Sequence, residues 1–178
     1  MDSNTTDFAI EHQIFILDAY LKEPLNCKLQ NSITRNFVSD AMAILGLEPL
    51  GKLGIYPAVD ERAPGWSFIQ PITTSHISAH YFEKPGKAPH IRIDAYSCDC
   101  INWRALLRVC SQHFKLAEWR GTFIDREIDP GLSRSVLSLS GQGDNITQQQ
   151  SLEPVIPAFA DSDTPINAIG EQHVNAHC

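Results

Sequence analysis

The chain has no apolar run approaching the ~20 residues that a membrane-spanning helix needs. Its first residues, Met1-Asp2-Ser3-Asn4-Thr5-Thr6-Asp7, lack the basic and apolar stretches of a secretory leader. These absences lead to the expectation of a cytoplasmic protein with no membrane partner. Clusters of Lys and Arg are missing too: 14 basic residues stand against 21 acidic ones, a formal net charge of -7. A surface of that sign repels phosphate backbones and acidic headgroups, so no nucleic-acid partner is expected. Nor is there a disulfide framework. The five cysteines, Cys27, Cys98, Cys100, Cys110 and Cys178, are odd in number and irregularly spaced, which reads as free thiols.

What is present suits one ordinary core, with 43% hydrophobic and 20% charged residues. Residues 8–20 alternate in part, as a strand does. In residues 28–47, Leu29, Ile33, Phe37, Ala41 and Leu45 recur four apart, a helical stripe stopped by Gly46. Residues 50–59 read as a second strand and Glu61-Arg62-Ala63-Pro64-Gly65 as a turn. Residues 76–82 and 91–96 are predicted strands, joined as a hairpin by a loop holding Pro85, Gly86 and Pro89. Residues 102–113 form an amphipathic helix with Asn102 as N-cap, and residues 116–124 return as a strand. The expected fold is α+β: a two-layer sandwich in which a largely antiparallel sheet carries helices on one face. After Pro130 the composition shifts to Gly141-Gln142-Gly143 and Gln148-Gln149-Gln150. Arg134 alone stands there against Asp144, Glu153, Asp161, Asp163 and Glu171. Residues 131–178 therefore read as a disordered acidic tail behind a domain of residues 1–130.

Nucleophiles and imidazoles concentrate in Thr73-Thr74-Ser75-His76-Ile77-Ser78-Ala79-His80-Tyr81-Phe82-Glu83 and in Ile93-Asp94-Ala95-Tyr96-Ser97-Cys98. In an ordinary half-exposed hairpin, His76, Ser78 and His80 form the solvent face while Ile77, Ala79 and Tyr81 face the core. Periodicity alone favours that arrangement. A metal site on His76, His80, Cys98 and Cys100 meets a geometric obstacle. Strand residues four apart lie about 13 Å from each other, too far for one ion, so no metal is expected. Alternatively, the hairpin brings reactive groups together. If its loop closes nearly symmetrically, facing residue numbers sum to about 173 and Ser75 lies opposite Cys98, a hydroxyl and a thiol at the open end of the ladder.

Ser75-His76-Ile77-Ser78-Ala79-His80, followed by an aromatic and Glu83, and then Asp94-Ala95-Tyr96-Ser97-Cys98, resembles the core motif of bacterial S-adenosylmethionine decarboxylases. That family carries a Ser-His-x-Ser-x-His strand and an Asp-x-Phe-Thr-Cys strand. Upstream, Ser67 of Gly65-Trp66-Ser67 falls eight residues before Ser75, as the family's processing serine does. The resemblance implies a self-cleaving zymogen with a pyruvoyl cofactor made from Ser75. The Ser75 hydroxyl attacks the Thr74 carbonyl, and elimination from the resulting ester separates Thr74 from Ser75, with His80 and Ser67 assisting. The pyruvoyl group then forms a Schiff base with the substrate amine and draws in the electrons released with carbon dioxide. Cys98 matches the proton donor, a role open to an unperturbed thiol because it stays protonated near neutral pH. The implied product serves as aminopropyl donor in spermidine, and more broadly polyamine, biosynthesis.

The resemblance also implies a homodimer. His80 is five residues along the strand from Ser75, about 16 Å away, and bacterial members of the family pair so that each site takes residues from a partner. A sulfonium substrate wants an aromatic face, for which Phe82 and Trp66 are the candidates, with Glu83 as a further substrate-binding residue. Three positions depart from the family pattern. Thr74 stands in place of Glu, no proline separates Phe82 from Glu83, and Asp99 replaces Gly after the cysteine. Two other functions remain open. One is decarboxylation of arginine or ornithine on the same scaffold; the other is an unprocessed, non-catalytic homologue that regulates a true decarboxylase.

Overall fold

Along the central strands of this chain, side chains alternate between a face covered by helices and a face left open. The computed structural model describes residues 11–84, 86, 89–126 and 135–152. In chain order these form β1 (Gln13–Leu21), α1 (Gln30–Leu45), β2 (Gly54–Ala58), β3 (Gly65–Ile72), β4 (Ser75–Phe82), β5 (His90–Ser97), α2 (Trp103–Phe114), β6 (Leu116–Asp125), β7 (Val136–Gln142) and β8 (Asn145–Leu152). The strands make one sheet in the order β2-β3-β4-β5-β1-β6-β7-β8. Every neighbouring pair is antiparallel. The expected α+β class and the antiparallel sheet are as the sequence indicates.

Period-two patterning explains the layering. Phe15, Leu17 and Ala19 of β1, Ile77, Ala79 and Tyr81 of β4, and Ile91, Ile93 and Ala95 of β5 are all buried. They join one cluster with Phe37, Val38 and Ala41 of α1 and with Leu106, Leu107 and Cys110 of α2. Each large apolar side chain so buried contributes about 1.5–3 kcal/mol. Phe37 anchors the contact, its ring 4.7 Å from that of Phe114 and 5.8 Å from that of Phe68. Helix ends follow the residues written at them. Asn102 Oδ1 accepts from the Ala105 amide at 3.1 Å, as expected of an N-cap. Gly46 ends α1 in the left-handed conformation, φ 65°. A single 3-10 turn, Cys27–Leu29, precedes α1 and takes up the start of the predicted helix. No helix among the described residues is long and apolar enough to cross a membrane.

Three expectations differ from the structure. The predicted second strand shrinks to β2, because, of residues 50–59, only Gly54–Ala58 pair in register with β3. β3 itself was not foreseen. Its alternation is obscured by Gln70 and Pro71, and Gln70 is buried with its amide Nε2 donating to the Gly51 and Pro71 carbonyls at 3.0 and 2.6 Å. The acidic tail requires the largest correction. Val136–Gln142 and Asn145–Leu152 are strands β7 and β8, which extend the sheet beyond β6. Residues 131–134 and 153–178 lie outside the described residues.

The β7–β8 hairpin is packed, not appended. Leu139 is buried with the core cluster, and the Trp119 indole Nε1 donates to the Gly143 carbonyl at 2.8 Å. Gly141 faces Trp119 across the β6–β7 ladder. A Cβ there would lie 2.4 Å from Trp119 Cζ2 and 2.1 Å from the Asn145 carbonyl oxygen. Gly141→Ala is therefore expected to destabilise the protein by about 1–3 kcal/mol, read as a lower midpoint of thermal or urea unfolding. An unchanged midpoint would mean that the hairpin detaches without consequence for the domain.

Candidate active site

β3 and β4 are joined by only two residues, Thr73 and Thr74, because Ile72 already pairs with Ser75. Two-residue hairpin loops ordinarily take positive φ at a central position, a conformation that β-branched threonines resist. Here the positive φ falls on Ser75 instead, at 145°. For a residue with a side chain this backbone is strained, by about 1–3 kcal/mol. The strained residue is also the first of the motif noted in the sequence.

The peptide before Ser75 is held on several sides. The Thr73 amide donates to the Glu48 carbonyl at 3.0 Å, and the Cys98 amide donates to the Thr74 carbonyl at 2.8 Å. Thr74 Oγ1 is buried and has no hydrogen-bond partner. Ser75 Oγ lies 3.1 Å from His76 Nδ1. The β4–β5 register corrects the sequence estimate by one residue. Facing numbers sum to 172, so that Ser75 pairs with Ser97 and not with Cys98. The reason is that His90 already pairs with Phe82 as the first residue of β5 and does not belong to the loop. Cys98 is nevertheless tied to the motif, since its own amide holds the Thr74 carbonyl. Ser97 is buried, and its Oγ accepts from the Asp99 amide at 3.0 Å, fixing the turn that follows.

Ser67 and His80 meet. They are cross-strand partners on β3 and β4, with Ser67 Oγ 2.7 Å from His80 Nδ1. Both sit on the open face, at the end of β4 remote from Ser75; five strand residues separate His80 from Ser75, about 16 Å. Next to the pair, the His80 ring stacks near Phe82 and Phe82 stacks on His90, with centroids 6.4 and 5.0 Å apart. These side chains line a groove of about 650 Å³ together with Asp18, Tyr20, Arg92 and Arg120. Asp18 lies 3.7 Å from each of the two guanidinium groups. Burial, helped by the Arg92 guanidinium, pushes the His90 imidazole below its ordinary range. The His90 ring stacked on Phe82 offers a flat, partly apolar wall.

Two candidate substrate contacts fall elsewhere. Trp66 is buried on the helix-covered face, its ring 4.5 Å from that of Tyr81 and its Nε1 donating to Thr34 Oγ1 at 3.0 Å. It is a core residue, which corrects the expectation of a substrate-facing ring. Strand parity gives the reason: even-numbered residues of β3 point inward and Ser67 points out. Gly65 lets β3 approach β4 this closely, for a Cβ there would lie 1.9 Å from the Tyr81 carbonyl oxygen. Glu83 is exposed and accepts from Cys27 Sγ at 3.9 Å, outside the groove lining. Burial and the nearby Glu83 carboxylate raise the Cys27 thiol above its ordinary value.

Cys100 and Cys110 are poor nucleophiles. Cys100 Sγ donates to Glu11 Oε2 at 2.6 Å, and that bond, with burial and neighbouring carboxylates, pushes its pKa up to about 11. Cys110 is buried in the core and raised further by desolvation. Among the described residues no group of three or more His, Cys, Asp or Glu side chains is placed to hold a metal ion. Sequence reasoning missed Asp18, His90, Arg92 and Arg120, although each occupies an outward position of a strand whose inward positions are apolar.

The residue pattern and the fold agree with one comparison. The sequence profile of the S-adenosylmethionine decarboxylase family matches residues 14–127, from β1 to the end of β6, and so contains Ser67, Ser75, His80 and Cys98. The β7–β8 hairpin lies beyond that match. A search of curated proteins found no match. With nearly two thirds of its length covered by the profile, this chain belongs to the S-adenosylmethionine decarboxylase family.

Proposed function

We propose that the chain is a self-cleaving, pyruvoyl-dependent decarboxylase of S-adenosylmethionine that cuts itself between Thr74 and Ser75. One observation carries this reading: Ser75, at φ 145°, follows a carbonyl gripped by the Cys98 amide at 2.8 Å. Strain in the serine raises the ground state of the peptide to be broken. The gripped oxygen is the one on which negative charge develops during attack, so the Cys98 amide acts as a ready oxyanion donor. The unpartnered, buried Thr74 Oγ1 adds to the instability of the uncut loop. These features fit a residue that becomes the cofactor. The pyruvoyl group supplies an electron sink for the carbon that loses carbon dioxide.

The chain's own residues do the rest. Cys98 returns a proton to that carbon. Ser67 orients His80 through their 2.7 Å contact, and His80 removes the Ser75 Cα proton in the elimination that completes cleavage. Because His80 and Ser75 lie at opposite ends of β4, the Ser67–His80 pair serves a second copy of the chain. The helix-free sheet face, which carries Ser67, His80, Phe82 and the groove, suits such a homodimer. Phe82 stacked on His90 offers the sulfonium substrate an aromatic face. We place the enzyme in the cytoplasm, where its product feeds spermidine synthesis.

Three measurements test the proposal. Ser75→Ala is expected to remain one chain on denaturing electrophoresis while the wild type separates into two. In co-expression, differently tagged Ser75→Ala and His80→Ala chains are expected to form mixed dimers in which only the His80→Ala chain is cut, since it keeps Ser75 and borrows His80. Mixed dimers without any cut chain would reject sharing between protomers. Cys98→Ala is expected to cleave but to lose turnover by roughly 10²–10⁴-fold, measured as carbon dioxide release. Full turnover without the thiol would remove Cys98 from the role of donor.

A further inference from the structure

We propose that His76 is the general base that activates Ser75 Oγ, acting within its own chain, an assignment that rests on the self-cleavage reading above. A base must lie within hydrogen-bond reach of the proton it takes. His76 Nδ1 stands 3.1 Å from Ser75 Oγ, and among the described residues no other side chain hydrogen-bonds that oxygen. The contact is not a routine result of adjacency. Successive residues of a regular strand point to opposite faces, and only the irregular backbone at Ser75 brings its hydroxyl to the neighbouring imidazole.

The imidazole is also held in place. His76 is the cross-strand partner of Tyr96, and the two rings meet edge to face at 6.1 Å and 66°. Tyr96 is fixed at both ends: its hydroxyl lies 2.8 Å from His12 Nδ1, and the Arg126 guanidinium sits 5.4 Å above its ring. A ring supported in this way keeps Nδ1 aimed at the hydroxyl. His80 of the same chain is unsuited to this step, being five residues away and engaged with Ser67; the copy supplied by a second chain serves the later removal of the Cα proton. The two imidazoles therefore divide the reaction.

The step balances without a co-reactant. With His76 protonated on Nε2, Nδ1 takes the Ser75 Oγ proton as the oxygen bonds to the Thr74 carbonyl carbon. Charge gathers on the Thr74 oxygen, where the Cys98 amide receives it. The Thr74–Ser75 C–N bond breaks, and His76 delivers the proton to the departing Ser75 nitrogen. The product is an ester between the Thr74 carboxyl and Ser75 Oγ, with a free amine and no net change in protons. Elimination from that ester, with His80 taking the Cα proton, releases the Thr74 carboxylate. The dehydroalanine that remains takes up water and loses ammonia.

Hydroxylamine separates the two steps, because it cleaves an ester and leaves an ordinary peptide bond intact. His76→Asn and His76→Gln keep polar groups of similar reach that cannot accept a proton. Each is expected to cleave about 10²-fold more slowly than wild type and, by intact mass, to contain no hydroxylamine-labile ester. His80→Ala is expected to accumulate the ester and to split at Thr74 on addition of hydroxylamine. Circular dichroism confirms that each variant is folded. A folded His76 variant that cleaves at the wild-type rate, or accumulates labile ester as His80→Ala does, overturns the assignment while leaving self-cleavage standing. A wild-type chain that never cleaves overturns both.

Discussion

Strand alternation against a one-sided helical layer is the constraint on which this structure depends. Because α1 and α2 cover one face of the sheet, every central strand must send its apolar residues that way. Phe15, Leu17, Ile77, Ala79, Ile91 and Ile93 do so and are almost fully buried. The polar residues between them are thereby placed together on the open face. Asp18, His80, Arg92 and Arg120 come from four strands and line one groove for this reason alone. Core packing thus positions the candidate functional face, and a register slip of one residue would invert both.

A second constraint is local. Joining β3 to β4 through Thr73 and Thr74 leaves no residue suited to positive φ in the loop, and the distortion moves to Ser75. The Cys98 amide then fixes the carbonyl beside it from the neighbouring strand. Strain, a held carbonyl and an adjacent imidazole converge on one peptide bond at this tight turn. The Ser67–His80 pair is the counterpart at the far end of β4. Its separation from Ser75 along one strand is the physical reason for invoking a second copy.

Much of this was legible in the sequence. The four-residue apolar spacing of α1, the capping Asn102 and the alternation of β4 and β5 announce the layers, and the Ser75 motif marks the site. β3 was hidden because a buried Gln70 and a Pro71 interrupt its pattern. β7 and β8 were hidden by a Gln- and Ser-rich composition that resembles a tail. Only Leu139 is buried among the inward residues with large side chains there, and the close approach of Gly141 to Trp119 leaves no trace in hydrophobicity. The one-residue register error followed from counting His90 in the loop, whereas it pairs with Phe82. Trp66 was misjudged because its parity, set by the unseen β3, was unknown. The contact between Ser75 and His76 was beyond sequence reasoning, since regular strand geometry forbids it.

The central claim is that Ser75 becomes an electrophilic carbonyl that captures the substrate amine. Incubating the purified protein with S-adenosylmethionine and cyanoborohydride, then weighing the denatured chains, tests it most directly. The account predicts a substrate-derived mass added to the chain that begins at residue 75 and none on the chain that ends at Thr74. A single full-length chain carrying no added mass would contradict it.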